Sequence, residues 1–171
     1  AGQVDRTALL ALRTLDGEYL EALSDIERLE WLSTELSDSE HLQDGTMAQV
    51  RGIIHMHLAD LDTAVELFRT AELWFRVRQG NDSHHAVVAR VGQTKALWLG
   101  GRLDEAIGTA RRVERCDRFP DQCARASLWA GWALLERGDA DQALERARTS
   151  IEWGKQASVD SPEELRVSAE L

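Results

Sequence analysis

The chain has 171 residues, a formal net charge of −10 and a 29% share of charged residues. This acidic balance excludes a binder of nucleic-acid phosphates, which needs clustered positive charge, and no apolar run approaches the roughly 18 residues of a membrane span. The start, Ala1-Gly2-Gln3-Val4-Asp5, has neither the basic nor the apolar region of a signal peptide, and two cysteines make no disulfide framework, so a cytoplasmic setting is expected.

Residues 4–15 are predicted as a short helix with Ala8, Leu9, Leu12 and Leu15 as its apolar stripe. The turn Leu15-Asp16-Gly17 leads into a second helix over 18–36. From Glu18 to Asp44 nine acidic residues face one basic residue, Arg28, which reads as a solvated outer face or as a docking patch for a basic partner. A polar link over 37–45 precedes helices over 46–58 and 62–79. Gly80-Asn81-Asp82-Ser83 breaks the chain, with Asp82 or Ser83 expected to cap the helix that reaches Leu99. Gly100-Gly101 turns the chain into a helix over 103–116, which Pro120 separates from the next. The last pair covers 121–137 and 140–156 around Gly138. After a spacer at 157–160, Ser161-Pro162-Glu163-Glu164 has the pattern of a capping box with proline at the first helical position. Segment 161–171 is then a terminal cap or the start of another repeat. With no initiator methionine, the chain is expected to be a fragment of a larger multidomain protein. It is also expected to be bacterial, because only Lys95 and Lys155 of its 20 basic residues are lysine.

The turns and the helices after them align on four small residues, Ala22, Ala64, Ala106 and Ala143, spaced by 42, 42 and 37 residues. Five before each anchor stand Gly17, Ala59, Gly101 and Gly138; one after stand Leu23, Val65, Ile107 and Leu144; four after stand Ile26, Phe68, Ala110 and Ala147. Ten after come Leu32, Trp74, Cys116 and Trp153. Several rows aligned at a near-constant period indicate an internal repeat. The pattern resembles the tetratricopeptide repeat, whose second half carries a small residue in the turn and an alanine five residues later; Gly52 and Gly131 also match the small residue expected twelve before the anchor. The resemblance implies an all-α, right-handed αα-superhelix (a solenoid). Its four helix-turn-helix repeats, over about 4–36, 46–79, 84–116 and 121–156, would form one domain spanning residues 1–171.

Enzyme signatures are absent: there is no Gly-x4-Gly-Lys loop, no His-Glu-x-x-His and no Gly-x-Ser-x-Gly. A non-catalytic protein without cofactor is expected. His55 and His57 are two apart and His84 and His85 adjacent, whereas a helical metal pair needs i,i+4 spacing, so no metal site is expected. Carboxylates at helix starts (Asp60, Asp62, Asp104, Glu105, Asp139, Asp141) are favoured there by the helix dipole. Cys116 falls in the row of Leu32, Trp74 and Trp153, and Cys123 aligns with Ala86. Both read as small buried apolar residues rather than as a disulfide. Arg111, Arg112, Arg115 and Arg118 form a short basic patch, a solvated helix face or a contact for an acidic partner.

Six tryptophans are present, four of them (Trp98, Trp129, Trp132, Trp153) in the second half. In the family the chain resembles, the first helix of each repeat lines a concave groove. By offset from the anchors the groove set here is Gln49, Ile53, Met56, Val91, Lys95, Trp98, Leu128, Trp132 and Leu135. Aromatics and methionine suit the centre of a partner-binding surface; the other reading places Trp98 and Trp132 in the core. The expected function is binding of a peptide or protein partner in that groove. A small-molecule-sensing domain of a larger regulator and a self-assembling scaffold, with a homodimer, are the alternatives. Partners include other domains of the same polypeptide, but neither nucleic acid nor membrane.

Overall fold

In the computed structural model, which describes residues 45–113 and 116–160 together with Ser24, Gly80 and three other described residues have positive φ, and those three mark the turns before the anchor alanines. They are Ala59 at 60°, Gly101 at 71° and Gly138 at 96°. All three stand five before an anchor alanine, and each closes a helix in the same way. The amide of the next residue donates to the carbonyl five back (Asp60 to His55, Arg102 to Leu97, Asp139 to Leu134, each 2.9 Å). The amides of Ala59, Gly101 and Gly138 donate to the carbonyls of Met56, Trp98 and Leu135, which completes a Schellman motif in each turn. Glycine adopts this conformation without a Cβ clash; Ala59 holds it at a cost of about 1 kcal/mol.

Among residues 45–160 the described residues form six helices: α1 (Gly45–His57), α2 (Leu61–Gln79), α3 (His84–Leu99), α4 (Leu103–Ala110), α5 (Pro120–Arg137) and α6 (Ala140–Asp160). No strand occurs among the described residues. Ser83 caps α3 with extended backbone, its hydroxyl accepting from the Ala86 amide at 3.3 Å. Pro120 opens α5, where its missing amide has no helical partner to lose. Each helix packs on its sequence neighbours, and α3 also touches α1 and α5. The described residues are therefore all-helical with sequential packing. The expected first helix pair and segment 161–171 lie outside the described residues. Among those residues no helix is long and apolar enough to cross a membrane.

The anchors Ala64, Ala106 and Ala143 share one core cluster with Val65, Phe68, Ala96, Leu97, Ile107, Ala133 and Leu134. Phe68, 2% exposed, is wedged between two first helices. A Cβ on Gly52 of α1 would come within 3.1 Å of its ring, and one on Gly92 of α3 within 2.5 Å. Behind it Arg90 of α3 donates to Glu72 of α2 through Nε (3.0 Å) and Nη2 (2.8 Å), both bonds converging on Oε1 in a buried charge-assisted pair across the helix boundary.

Three expectations are corrected. Helix α4 ends at Ala110 rather than Cys116. Arg90 Nη1 donates to the Arg112 carbonyl at 2.6 Å, so that carbonyl serves a side chain where a continuing helix would give it to residue 116. Cys116 and Cys123 are not separate apolar residues: they form a disulfide, with Cα atoms 5.5 Å apart, that ties the loop to the first turn of α5. With the thiols joined, cysteine usage no longer argues for a reducing compartment. Helix α6 runs through the expected spacer to Asp160, because Ala157-Ser158-Val159 contains no helix breaker and Pro162 restricts only the residue before it.

Candidate functional site

The first helices α1, α3 and α5 place the groove set in three rows. Eleven before the anchors stand Ile53, Lys95 and Trp132; eight before stand Met56, Trp98 and Leu135. Ile53, Met56, Lys95 and Trp98 are half-buried, while Trp132 is 45% and Leu135 50% exposed. Fifteen before stand half-buried Gln49, Leu128, which is 40% exposed, and Val91. Val91 lies in the core, 6% exposed, against Cys123, Ala126 and Ala130 of α5.

The tryptophans are brought together. Trp98 of α3 stacks on Trp129 and Trp132 of α5, with ring centroids 5.2 and 6.3 Å apart. Its indole Nε1 donates to Glu136 Oε1 at 2.9 Å, which fixes the ring across the helix boundary. Trp98 thus touches core residues on one side and the exposed Trp132 on the other. Lys95 Nζ lies 5.2 Å from the centre of the Trp129 ring, within the range of a cation–π contact. Burial holds the Lys95 ammonium below its ordinary pKa, and the charge of Arg125 pushes the same way. Among the described residues no carboxylate is paired with it. Burial, and then the Lys95 charge, also lowers the pKa of His57 at the end of α1.

Trp129, Glu136, Arg125 and His57 are outside the predicted set. Trp129 was findable, since it stands three before Trp132 and therefore shares its helix face. Glu136 and Arg125 depend on how α3 lies against α5, which no local pattern encodes. The other singled-out groups do not join this face. His55 Nδ1 and Asp60 Oδ2 are 2.9 Å apart. His85 stacks on Phe75 at 4.9 Å, and His84 packs against Phe119. Among the described residues no three His, Cys, Asp or Glu side chains converge as metal ligands would.

The helix-start carboxylates take part in contacts between repeats. Arg102 pairs with Glu105 and reaches back to Asp62 at 3.3 Å, and Arg137 pairs with Asp139 and reaches back to Asp104 at 2.5 Å. Hydrogen bonding to these arginines raises their pKa, and the bond from Arg102 lowers that of Glu105. Such exposed pairs contribute little individually, but they fix register at each turn. No known family model matches the sequence, and no curated protein matches it significantly.

Proposed function

We propose that the chain is a tetratricopeptide-like solenoid whose concave face, formed by the first helices, binds a peptide or protein partner without catalysis. The observation that carries this reading is the Trp129–Trp98–Trp132 stack, which continues from the helix boundary to a tryptophan 45% exposed. A rigid aromatic surface gives large contact area at small entropic cost. Half-buried Lys95 at its edge, with no carboxylate paired to it among the described residues, favours a partner segment that places an acidic residue beside an aromatic or aliphatic anchor. The narrower setting, a module of a larger bacterial regulator, rests on resemblance.

The test is selection from a displayed random-peptide library against the parent chain and a Trp132→Ala/Leu135→Ala variant. Both residues are exposed, so the variant is expected to keep its circular-dichroism spectrum. Enriched peptides are expected to bind the parent and to lose at least about tenfold in affinity, about 1.4 kcal/mol, for the variant. Equal binding by both proteins removes the groove assignment; no enrichment removes the peptide-binding reading.

A further inference from the structure

Rows that are closed in the inner repeats are open in the last. One residue after the anchor, Val65 is 1% and Ile107 3% exposed, while Leu144 is 53% exposed. Four after it, Phe68 is 2% and Ala110 7% exposed, while Ala147 is exposed. The inner members are covered because another first helix follows them: α3 lies on α2, and α5 lies on α3 and α4. Nothing among the described residues lies in the corresponding place beyond α6. There α5 and α6 leave an apolar slot of about 320 Å³ lined by Leu128, Trp132, Leu135, Leu144 and Ala147.

The two covering helices share one surface pattern. Counted from their anchors at −20, −17, −13 and −10, α3 presents Ala86, Ala89, Gln93 and Ala96, and α5 presents Cys123, Ala126, Ala130 and Ala133; all eight are buried. Side chains spaced i, i+3, i+7 and i+10 lie on one helical face. Seven of the eight are no larger than cysteine, which lets the backbone approach the apolar row beneath. An exposed slot whose equivalents are filled twice in the same molecule takes the same kind of filler. We propose that the α5–α6 slot is a binding surface that shares Leu128, Trp132 and Leu135 with the groove rows and adds Leu144 and Ala147 outside them. Its occupant is a partner helix with small residues at i, i+3, i+7 and i+10, docked as α5 docks on α3 and α4.

Because the slot shares residues with the groove rows, its test changes Leu144, which lies outside them, so that failure of one reading is distinguishable from failure of the other; the test uses the full chain. The probe is a labelled synthetic peptide with the sequence of residues 120–137 and Cys123→Ala, which carries the small-residue face. Saturable binding is expected by fluorescence anisotropy. Binding is expected to weaken at least about tenfold for the Leu144→Arg chain, because a charge would enter an apolar contact, and similarly for a peptide with Ala126→Leu and Ala130→Leu. Leu144 is exposed, so Leu144→Arg should leave the thermal midpoint of the free chain unchanged. Absence of saturable binding overturns the proposal, as does equal binding to Leu144→Arg. Two measurements on the free chain identify the other occupants, each of which also overturns it. A second copy would show as concentration-dependent mass in sedimentation, lost in Leu144→Arg. The chain's own segment 161–171 would show as slow amide exchange there that Leu144→Arg abolishes.

Discussion

Gln93 of α3 is buried, 2% exposed, and its carboxamide oxygen has no hydrogen-bond partner among the described residues. A buried acceptor left unsatisfied costs about 1–3 kcal/mol, and an apolar side chain of similar volume removes that cost. Gln93→Leu is therefore expected to raise unfolding stability by about 1 kcal/mol, read as a higher urea midpoint at unchanged slope. A lower midpoint would mean that the oxygen is satisfied in solution. The buried pair Arg90–Glu72 differs, because each partner satisfies the other and Arg90 also holds the Arg112 carbonyl. Replacing Glu72 alone would leave a guanidinium largely out of water, whereas Gln93 has no bond to lose through its oxygen.

At the scale of elements, the seating of α3 on α2 turns on Gly92. Alanine is the better helix former by about 1 kcal/mol, but its methyl would come 2.5 Å from the Phe68 ring. The ring has little retreat, since Gly52 packs on it from α1 so closely that a Cβ there would also come within 3.1 Å of it. Overpacking of this kind costs about 1–3 kcal/mol, so Gly92→Ala is expected to be net destabilising and to lower the thermal midpoint; a rise would show that α3 can shift. The turns were legible in the sequence because positive φ restricts which residues can stand five before each anchor, and the small anchors because they share one core. Four helices follow the expected bounds closely for the same reason. The ends of α4 and α6 were not legible to the same degree. The end of α4 depends on an arginine 22 residues earlier and on a disulfide, both products of tertiary placement. Among the candidate groove residues, Trp98 and Trp132 stack across the α3–α5 boundary with Lys95 beside Trp129, while Leu135 lines the slot between α5 and α6. Val91 instead goes to the core, because offset from an anchor gives the helix face without saying how far the next helix overlaps it.

For the whole molecule, four resolved shifts act on stability in one direction as pH changes. Asp60 and Glu105 are lowered mainly by hydrogen bonds from Thr63 and Arg102, and His57 and Lys95 mainly by burial. In every case the unfolded chain binds more protons than the folded one, so each group makes stability rise with pH. For the carboxylates the stabilisation is present above their ordinary values and is lost as pH falls through the folded ones. For His57 the loss begins as pH drops below 6.5. For Lys95 the burden is present at neutral pH and is relieved only as pH climbs from its folded pKa toward 10.5. The pKa values of Arg102 and Arg137 are raised by hydrogen bonds to their carboxylate partners and so act only at extreme alkaline pH. A charge kept half-buried beside Trp129 and near Arg125 destabilises the free protein at working pH. Lys95→Met keeps the stem that covers the ring and removes the charge, so it is expected to raise stability at pH 7, read as a higher urea midpoint. It should also flatten the rise in stability between neutral and alkaline pH. If the groove binds acidic segments, the more stable variant should bind the selected peptides more weakly, and their Asp→Asn or Glu→Gln analogues no differently from the parent peptides. A variant that gained stability and kept that preference for acid would place the recognition of charge somewhere other than Lys95.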